Sequence, residues 1–127
     1  MEKKILIIDD SLYDRKSIKM YLEAGNGNYK IFEAVSKLEG VEMIKSEKPD
    51  CIILDYELPD GNGLEIIDEI NIDVPVVLLT GQGDNDIKEI AKQKGISRFL
   101  TKENHSMQSL HAVIKYVMNN YINVNFA

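Results

Sequence analysis

A doubly wound α/β domain, its parallel sheet covered by helices on both faces, is the fold class that this 127-residue sequence predicts. Three observations lead there. Short apolar or β-prone runs alternate strictly with segments of helical spacing, which implies parallel strand pairing through right-handed crossovers. Runs such as "ILII" and "CIIL" are near-continuously apolar, the pattern of strands buried on both faces. Gly and Pro sit at the boundaries between the runs, where chain reversals need them.

The elements follow in order. Lys3–Ile8 is the first strand, and Ser11–Glu23 the first helix, ended by Gly25 and Gly27. Tyr29–Ala34 reads as the second strand and Lys37–Glu47 as the second helix. Pro49 precedes the third strand, Cys51–Leu54, and Leu64–Ile70 is the third helix. Pro75 opens the fourth strand, Val76–Leu79; the fourth helix, Asp84–Lys94, is followed by Gly95 and then by the fifth strand, Arg98–Leu100. The fifth helix, Ser106–Asn120, is the clearest. Met107, Leu110, Ile114, Val117 and Tyr121 recur along it at three and four residues, a stripe expected to face the core. No repeat, low-complexity tract or linker interrupts the pattern. The expected organisation is one domain over residues 1–121 and a short tail, 122–127, with no output domain.

Composition excludes several function classes. Acidic residues outnumber basic ones by 21 to 15, the net charge is −6, and no Lys/Arg run marks a phosphate-tracking surface, so nucleic acid is not expected as a partner. The single cysteine, Cys51, lies in an apolar run without a mate, which points to a reducing compartment and a cytoplasmic location. The apolar segment Ile5–Ile8 is too short for a signal-peptide core or a membrane span, so no membrane insertion is expected.

In open α/β sheets ligands bind beyond the carboxyl ends of the strands. Here those ends carry Asp9 and Asp10, Asp55, Thr80, and Thr101–Lys102. Clustered carboxylates repel unless protons, basic groups or a cation offset them, and oxygen ligands without His or Cys suit a hard ion such as Mg²⁺. A metal so held commonly serves phosphate, with Lys102 and Thr80 placed to contact phosphoryl oxygens. Asp55 is then a third ligand, a nucleophile forming an aspartyl phosphate, or both. Taken alone, two aspartates after a strand are more often just a turn and a helix cap, and Ser11 could equally cap that helix. Placement at four strand ends on one edge is what raises the joint reading. His105 and His111 read as surface or helix-side residues.

These residues resemble the receiver domains of two-component response regulators, of the stand-alone kind, over nearly the whole chain. "ILIIDDS" resembles the family's first strand and acidic pair. "IILDYELPDGNG" is similar to its phosphoacceptor segment, with Pro59 and Gly63 following Asp55, while "VVLLTGQGD" and "RFLTK" resemble its fourth and fifth strands. The resemblance implies a flavodoxin-like sheet of order 2-1-3-4-5 with five helices. It implies that Asp55 is phosphorylated, that Asp10, Asp55 and the Glu57 carbonyl ligate Mg²⁺ directly and Asp9 through water, and that Thr80 and Lys102 contact the phosphoryl group. It further implies a switch in which Thr80 moves toward the phosphate and Phe99 turns inward, altering the face formed by the fourth helix, fifth strand and fifth helix. Gly81 leaves the phosphate accessible, and Glu57 and Gln82 occupy positions that tune its lifetime. The expected partners are a histidine kinase or histidine phosphotransfer protein and a downstream protein in trans, with the chain a monomer or weak dimer. Exposed residues of the first helix, such as Tyr13, Asp14 and Lys16, would select the kinase.

One position departs from the family. Glu103 follows Lys102 where proline is common and often cis; a cis bond without proline costs about 3 kcal/mol, so the loop is either trans or strained. Two other function classes stand beside a non-enzymatic phosphoacceptor. A scaffold working unphosphorylated would be favoured had any site residue been missing. A small Mg²⁺-dependent phosphohydrolase using Asp55 and Glu57 would need a cap or large pocket, for which the chain has no room.

Overall fold

The computed structural model describes residues 2–25, 27–81 and 85–122, and the elements follow the expected alternation. In chain order they are β1 (Lys3–Ile8), α1 (Leu12–Ala24), β2 (Tyr29–Ala34), α2 (Lys37–Glu47), β3 (Cys51–Asp55) and the two-residue strands β4 (Glu57–Leu58) and β5 (Gly61–Asn62). Then come α3 (Leu64–Glu69), β6 (Val76–Thr80), α4 (Asn85–Gln93), β7 (Arg98–Thr101), α5 (Asn104–Met107) and α6 (Leu110–Asn120). The main sheet is parallel throughout, in the order β2-β1-β3-β6-β7, which is the expected 2-1-3-4-5 once the small β4–β5 hairpin is set aside. Strand order reverses between β1 and β3, so a crevice is expected beyond their carboxyl ends.

Side-chain alternation divides the core into two layers. Ile5, Ile7, Ile53, Val77, Leu79 and Leu100 pack with Ile18 and Leu22 of α1 and with Leu110, Val113, Ile114 and Val117 of α6. Their neighbours Leu6, Ile8, Ile52, Leu54, Val76 and Leu78 turn the other way, against Leu64 and Ile66 of α3 and Ala91 of α4. Both faces of the sheet are therefore buried, as the near-continuous apolar runs imply. Ser11 and Ser36 cap α1 and α2, their hydroxyls accepting from the Asp14 and Glu39 amides at 3.2 and 3.1 Å.

The last helix differs from expectation. Ser106–Asn120 is not continuous: the chain forms α5, a turn at Gln108–Ser109, then α6. The Ser109 hydroxyl donates to the Ser106 carbonyl at 2.7 Å, and the Ser106 and Thr101 hydroxyls are hydrogen-bonded at 3.0 Å. Serine side chains thus compete with the helical backbone at the break. Met107, Leu110, Ile114 and Val117 are nonetheless buried, and Tyr121 is half-buried. The β4–β5 hairpin was not foreseen, since two-residue strands leave no periodic signal. Among the described residues no peptide bond is cis, so the Lys102–Glu103 bond is trans. No described helix is long and apolar enough to cross a membrane. Gln82, the start of the expected fourth helix at Asp84, and the tail from Asn123 lie outside the described residues.

Candidate functional site

Residue parity builds the site. Asp9 follows Ile8, Asp55 closes β3, and Lys102 lies two residues past Leu100, so all three share the parity of the layer that packs on α1 and α6. The ladder continues one residue past each strand. The Asp9 amide donates to the Ala34 carbonyl at 3.0 Å, that of Tyr56 to Leu79 at 3.0 Å, and that of Lys102 to Thr80 at 2.9 Å. Thr80 ends β6 in register with Thr101 of β7. The carboxyl ends of β1, β3, β6 and β7 are thereby held on one rim, at the reversal of strand order.

Asp9 is 1% exposed, Asp55 6% and Thr80 5%, whereas Asp10 stands in solvent. One ligand oxygen from each of Asp9, Asp10 and Asp55 lies within 4.8 Å of the others, a spacing that can hold a metal ion. All three are carboxylates with no His or Cys among them, a donor set that fits Mg²⁺. Both Asp9 oxygens already have protein partners: Oδ1 accepts the Ser11 amide at 2.9 Å and Oδ2 the Lys102 ammonium at 2.8 Å. That arrangement fits a ligand acting through water. Asp55 Oδ1 accepts the Glu57 amide at 3.3 Å, and its Oδ2 faces Lys102 Nζ at 3.3 Å. Glu57 is exposed on β4, and its backbone lies two residues beyond Asp55.

Electrostatics mark Asp55 and Lys102 apart. Burial first, then the Asp9 charge, raises the Asp55 carboxyl to about 6, against the opposing pull of Lys102 and the Glu57 amide. Burial disfavours the Lys102 ammonium. The hydrogen bonds it donates to Asp14 and Asp9 and the charges of Asp55 and Asp9 outweigh that cost and hold it above the ordinary lysine value. Together with Asp14, Ile87 and Gly81, the groups Asp55, Glu57, Thr80 and Lys102 line an open cleft of about 480 Å³. Among the described residues, a Cβ added at Gly81 would meet nothing within 4 Å.

Asp9, Asp10, Asp55, Glu57, Thr80, Gly81 and Lys102 are brought together at this rim, Gln82 lies outside the described residues, and Phe99 lies half-buried against the other layer of the core. Two residues escaped sequence reasoning. Arg15 donates to the Asp9 carbonyl through Nη1 and to Glu33 through Nε, both at 2.9 Å, and so fixes the end of β1. Asp14, expected as a surface residue for partner choice, reaches inward, its Oδ2 2.8 Å from Lys102 Nζ. As the first-turn acid three residues after a capping serine, its sequence position signals only a helix start. Gly63 stands out in the sequence by spacing alone; a Cβ there would strike the Asp55 carbonyl oxygen, so no side chain fits behind Asp55.

Comparison with known proteins agrees with this arrangement. The family model for the response regulator receiver domain matches residues 5–115. The phosphate regulon transcriptional regulatory protein PhoB of Pseudomonas aeruginosa is 34% identical over 121 residues, covering 91% of this chain and 52% of PhoB, so the chain spans about half of that relative's length. Sporulation initiation phosphotransferase F of Bacillus subtilis is 27% identical over 122 residues, 92% of this chain and 95% of its own. Among solved structures, a signal receiver domain from Vibrio parahaemolyticus superposes with a TM-score of 0.84 at 27% identity, covering 94% of this chain and 92% of that one. The response regulator domain of Thermotoga maritima CheB shares the fold, with a TM-score of 0.81 at 24% identity over 96% of this chain and all of that one. A parallel sheet in this order, with an aspartate cluster at its switch point and a family match spanning the sheet, leads to one assignment: the chain belongs to the receiver-domain family of two-component response regulators.

Proposed function

We propose that this receiver domain accepts a phosphoryl group from a phosphohistidine onto Asp55 and thereby changes what its α4–β7–α6 face binds. The observation that carries the reading is Asp55 itself. It is a buried carboxylate at the floor of an open cleft, beside a second buried aspartate and 3.3 Å from a lysine ammonium, with Thr80 on the adjacent strand. In the transfer, an Asp55 carboxylate oxygen attacks phosphorus, the P–O bond forms as the P–N bond of the donor breaks, and the imidazole leaves. Asp10, Asp55 and the Glu57 carbonyl would hold Mg²⁺, with Asp9 acting through water. The ion supplies positive charge against which the carboxylates and the transferring phosphoryl group are neutralised. Lys102 and Thr80 take the remaining phosphoryl oxygens by charge-assisted and hydroxyl hydrogen bonds.

A histidine-bearing partner would dock where Leu12, Tyr13 and Met20 expose apolar surface along α1 beside the cleft. After transfer, Thr80 moves to the phosphate and Phe99 repacks, and the face bearing Ile90 and Tyr116 changes its preference for a protein partner. The test is intact-protein mass after incubation with acetyl phosphate. One phosphoryl adduct that needs Mg²⁺ and is absent from Asp55→Asn is expected. A folded parent with no adduct would favour a scaffold that works unphosphorylated.

A further inference from the structure

Lys102 is more crowded than phosphoryl recognition requires. An ammonium has three N–H donors, and three carboxylates face this one: Asp9 Oδ2 and Asp14 Oδ2 at 2.8 Å, Asp55 Oδ2 at 3.3 Å. Two donors are spent on hydrogen bonds to Asp9 and Asp14 and the third side of the ammonium faces Asp55, so a phosphoryl group carried on Asp55 meets a lysine already shared with Asp9 and Asp14.

The three acceptors are not equally replaceable. Asp9 is locked: its side chain is 1% exposed, its other oxygen holds the Ser11 amide, and its own amide and carbonyl are tied to Ala34 and Arg15. Asp55 is the acceptor itself. Asp14 lies on the first turn of α1 with its side chain 31% exposed, and can turn to water at small cost. Its position has a simpler explanation, that of an acid in the first turn of a helix. Two contacts speak against that as the whole account. In a capping box the acid three residues past the serine would accept the serine amide, but the Ser11 amide goes to Asp9 instead. The Asp14 carboxylate is committed to a lysine 88 residues away, across the mouth of the cleft.

We propose that Asp14 is a positioning residue that competes with the phosphoryl group for the Lys102 ammonium, holding the domain toward its unphosphorylated state and thereby setting how strongly phosphorylation is favoured. The inference rests on the phosphoacceptor reading above. Competition has a definite sign: neutralising Asp14 removes a contact made mainly in the resting state and strengthens phosphoryl binding, whereas a mere anchor for Lys102 would weaken it when lost.

The probe is beryllofluoride, a phosphoryl mimic, titrated with Mg²⁺ and followed by backbone amide NMR on the parent, Asp14→Asn, Asp14→Glu, and the Asn change in a Lys102→Met background. Asp14→Asn is expected to bind about 2- to 5-fold tighter, the range for removal of a partly exposed ion pair. Asp14→Glu, which keeps the charge, should return toward the parent. In Lys102→Met the effect of Asp14→Asn should shrink to less than half, since the competition acts through the lysine. A second readout needs no metal: with chelator present, the lysine side-chain ¹⁵N signal of Lys102 should exchange faster with water in Asp14→Asn than in the parent. Equal or weaker binding by Asp14→Asn, or an undiminished effect without Lys102, overturns the proposal while leaving the phosphoacceptor reading intact. No beryllofluoride binding by the folded parent overturns that reading itself, and the inference with it.

Discussion

Asp55 concentrates the chemistry of the rim, and its raised carboxyl makes a stability claim. Because the fold lifts this group from an ordinary 3.8 to about 6, the folded state holds the proton more tightly than the unfolded chain does. The metal-free fold is therefore favoured at low pH and loses stability as pH rises from about 4 through about 6. In chelator at pH 7, Asp55→Asn should be more stable than the parent by about 1–2 kcal/mol, less than the displaced value alone implies because Lys102 gives up one partner. The gain should shrink as pH falls through about 6 and vanish near pH 3, below both the folded and the unfolded value, and urea unfolding across that range checks both statements. A variant equally stable at pH 7 would mean that the buried charge is compensated without a metal. At this scale Asp9, Asp10, Asp55, Thr80 and Lys102 were legible because strand ends on one sheet edge must converge. Asp14 and Arg15 were not, since their roles depend on where α1 packs, and helix spacing does not encode which neighbour a first-turn side chain meets.

The segment from Asp55 to α3 is held by backbone contacts that leave little room for substitution. The Gly63 amide donates to the Tyr56 carbonyl at 2.7 Å, closing the loop that carries the β4–β5 hairpin, and Gly61 sits at φ 141°, open to glycine but strained for other residues. Asp60 at the hairpin tip accepts the Lys37 and Leu38 amides at 2.8 and 3.0 Å, so the loop also caps α2. Gly63→Ala should cost about 2–3 kcal/mol in urea unfolding, because its Cβ would strike the Asp55 backbone and not a flexible side chain. Phosphoryl adduct formation should fall with it, since the acceptor's own carbonyl must shift. Parent-like stability and adduct yield would contradict that placement. The sheet strands and the first three helices lie within a residue or two of the expected bounds, because burial on one or two faces leaves a periodic trace. The hairpin and the α5–α6 break left none: the first is held by backbone pairing over two residues, the second by serine hydroxyls that could equally have faced solvent.

Across the molecule, the two core layers offer a route by which the proposed reaction at one rim would reach a distant face. Asp55 has the parity of the layer shared with α1 and α6, while Phe99 and Ala91 belong to the layer under α4, whose parity Thr80 shares at the end of β6. Saturating beryllofluoride and Mg²⁺ should therefore shift amide resonances along α4, β7 and α6 well beyond the cleft, while those at the amino ends of the strands stay in place. Shifts confined to the cleft would argue against a switch. Fold class and strand order were legible from alternation and the apolar runs, together with the family resemblance; the direction of the Lys102 contacts was not, because three carboxylates near one lysine can share it in several ways. The central claim is that Asp55 carries the phosphoryl group, and borohydride tests it most directly, since it reduces an aspartyl phosphate to homoserine. After acetyl phosphate and Mg²⁺, peptide mass spectrometry should find homoserine at position 55 alone; homoserine at position 9 or 10, or an adduct that leaves Asp55 unreduced, would contradict the account.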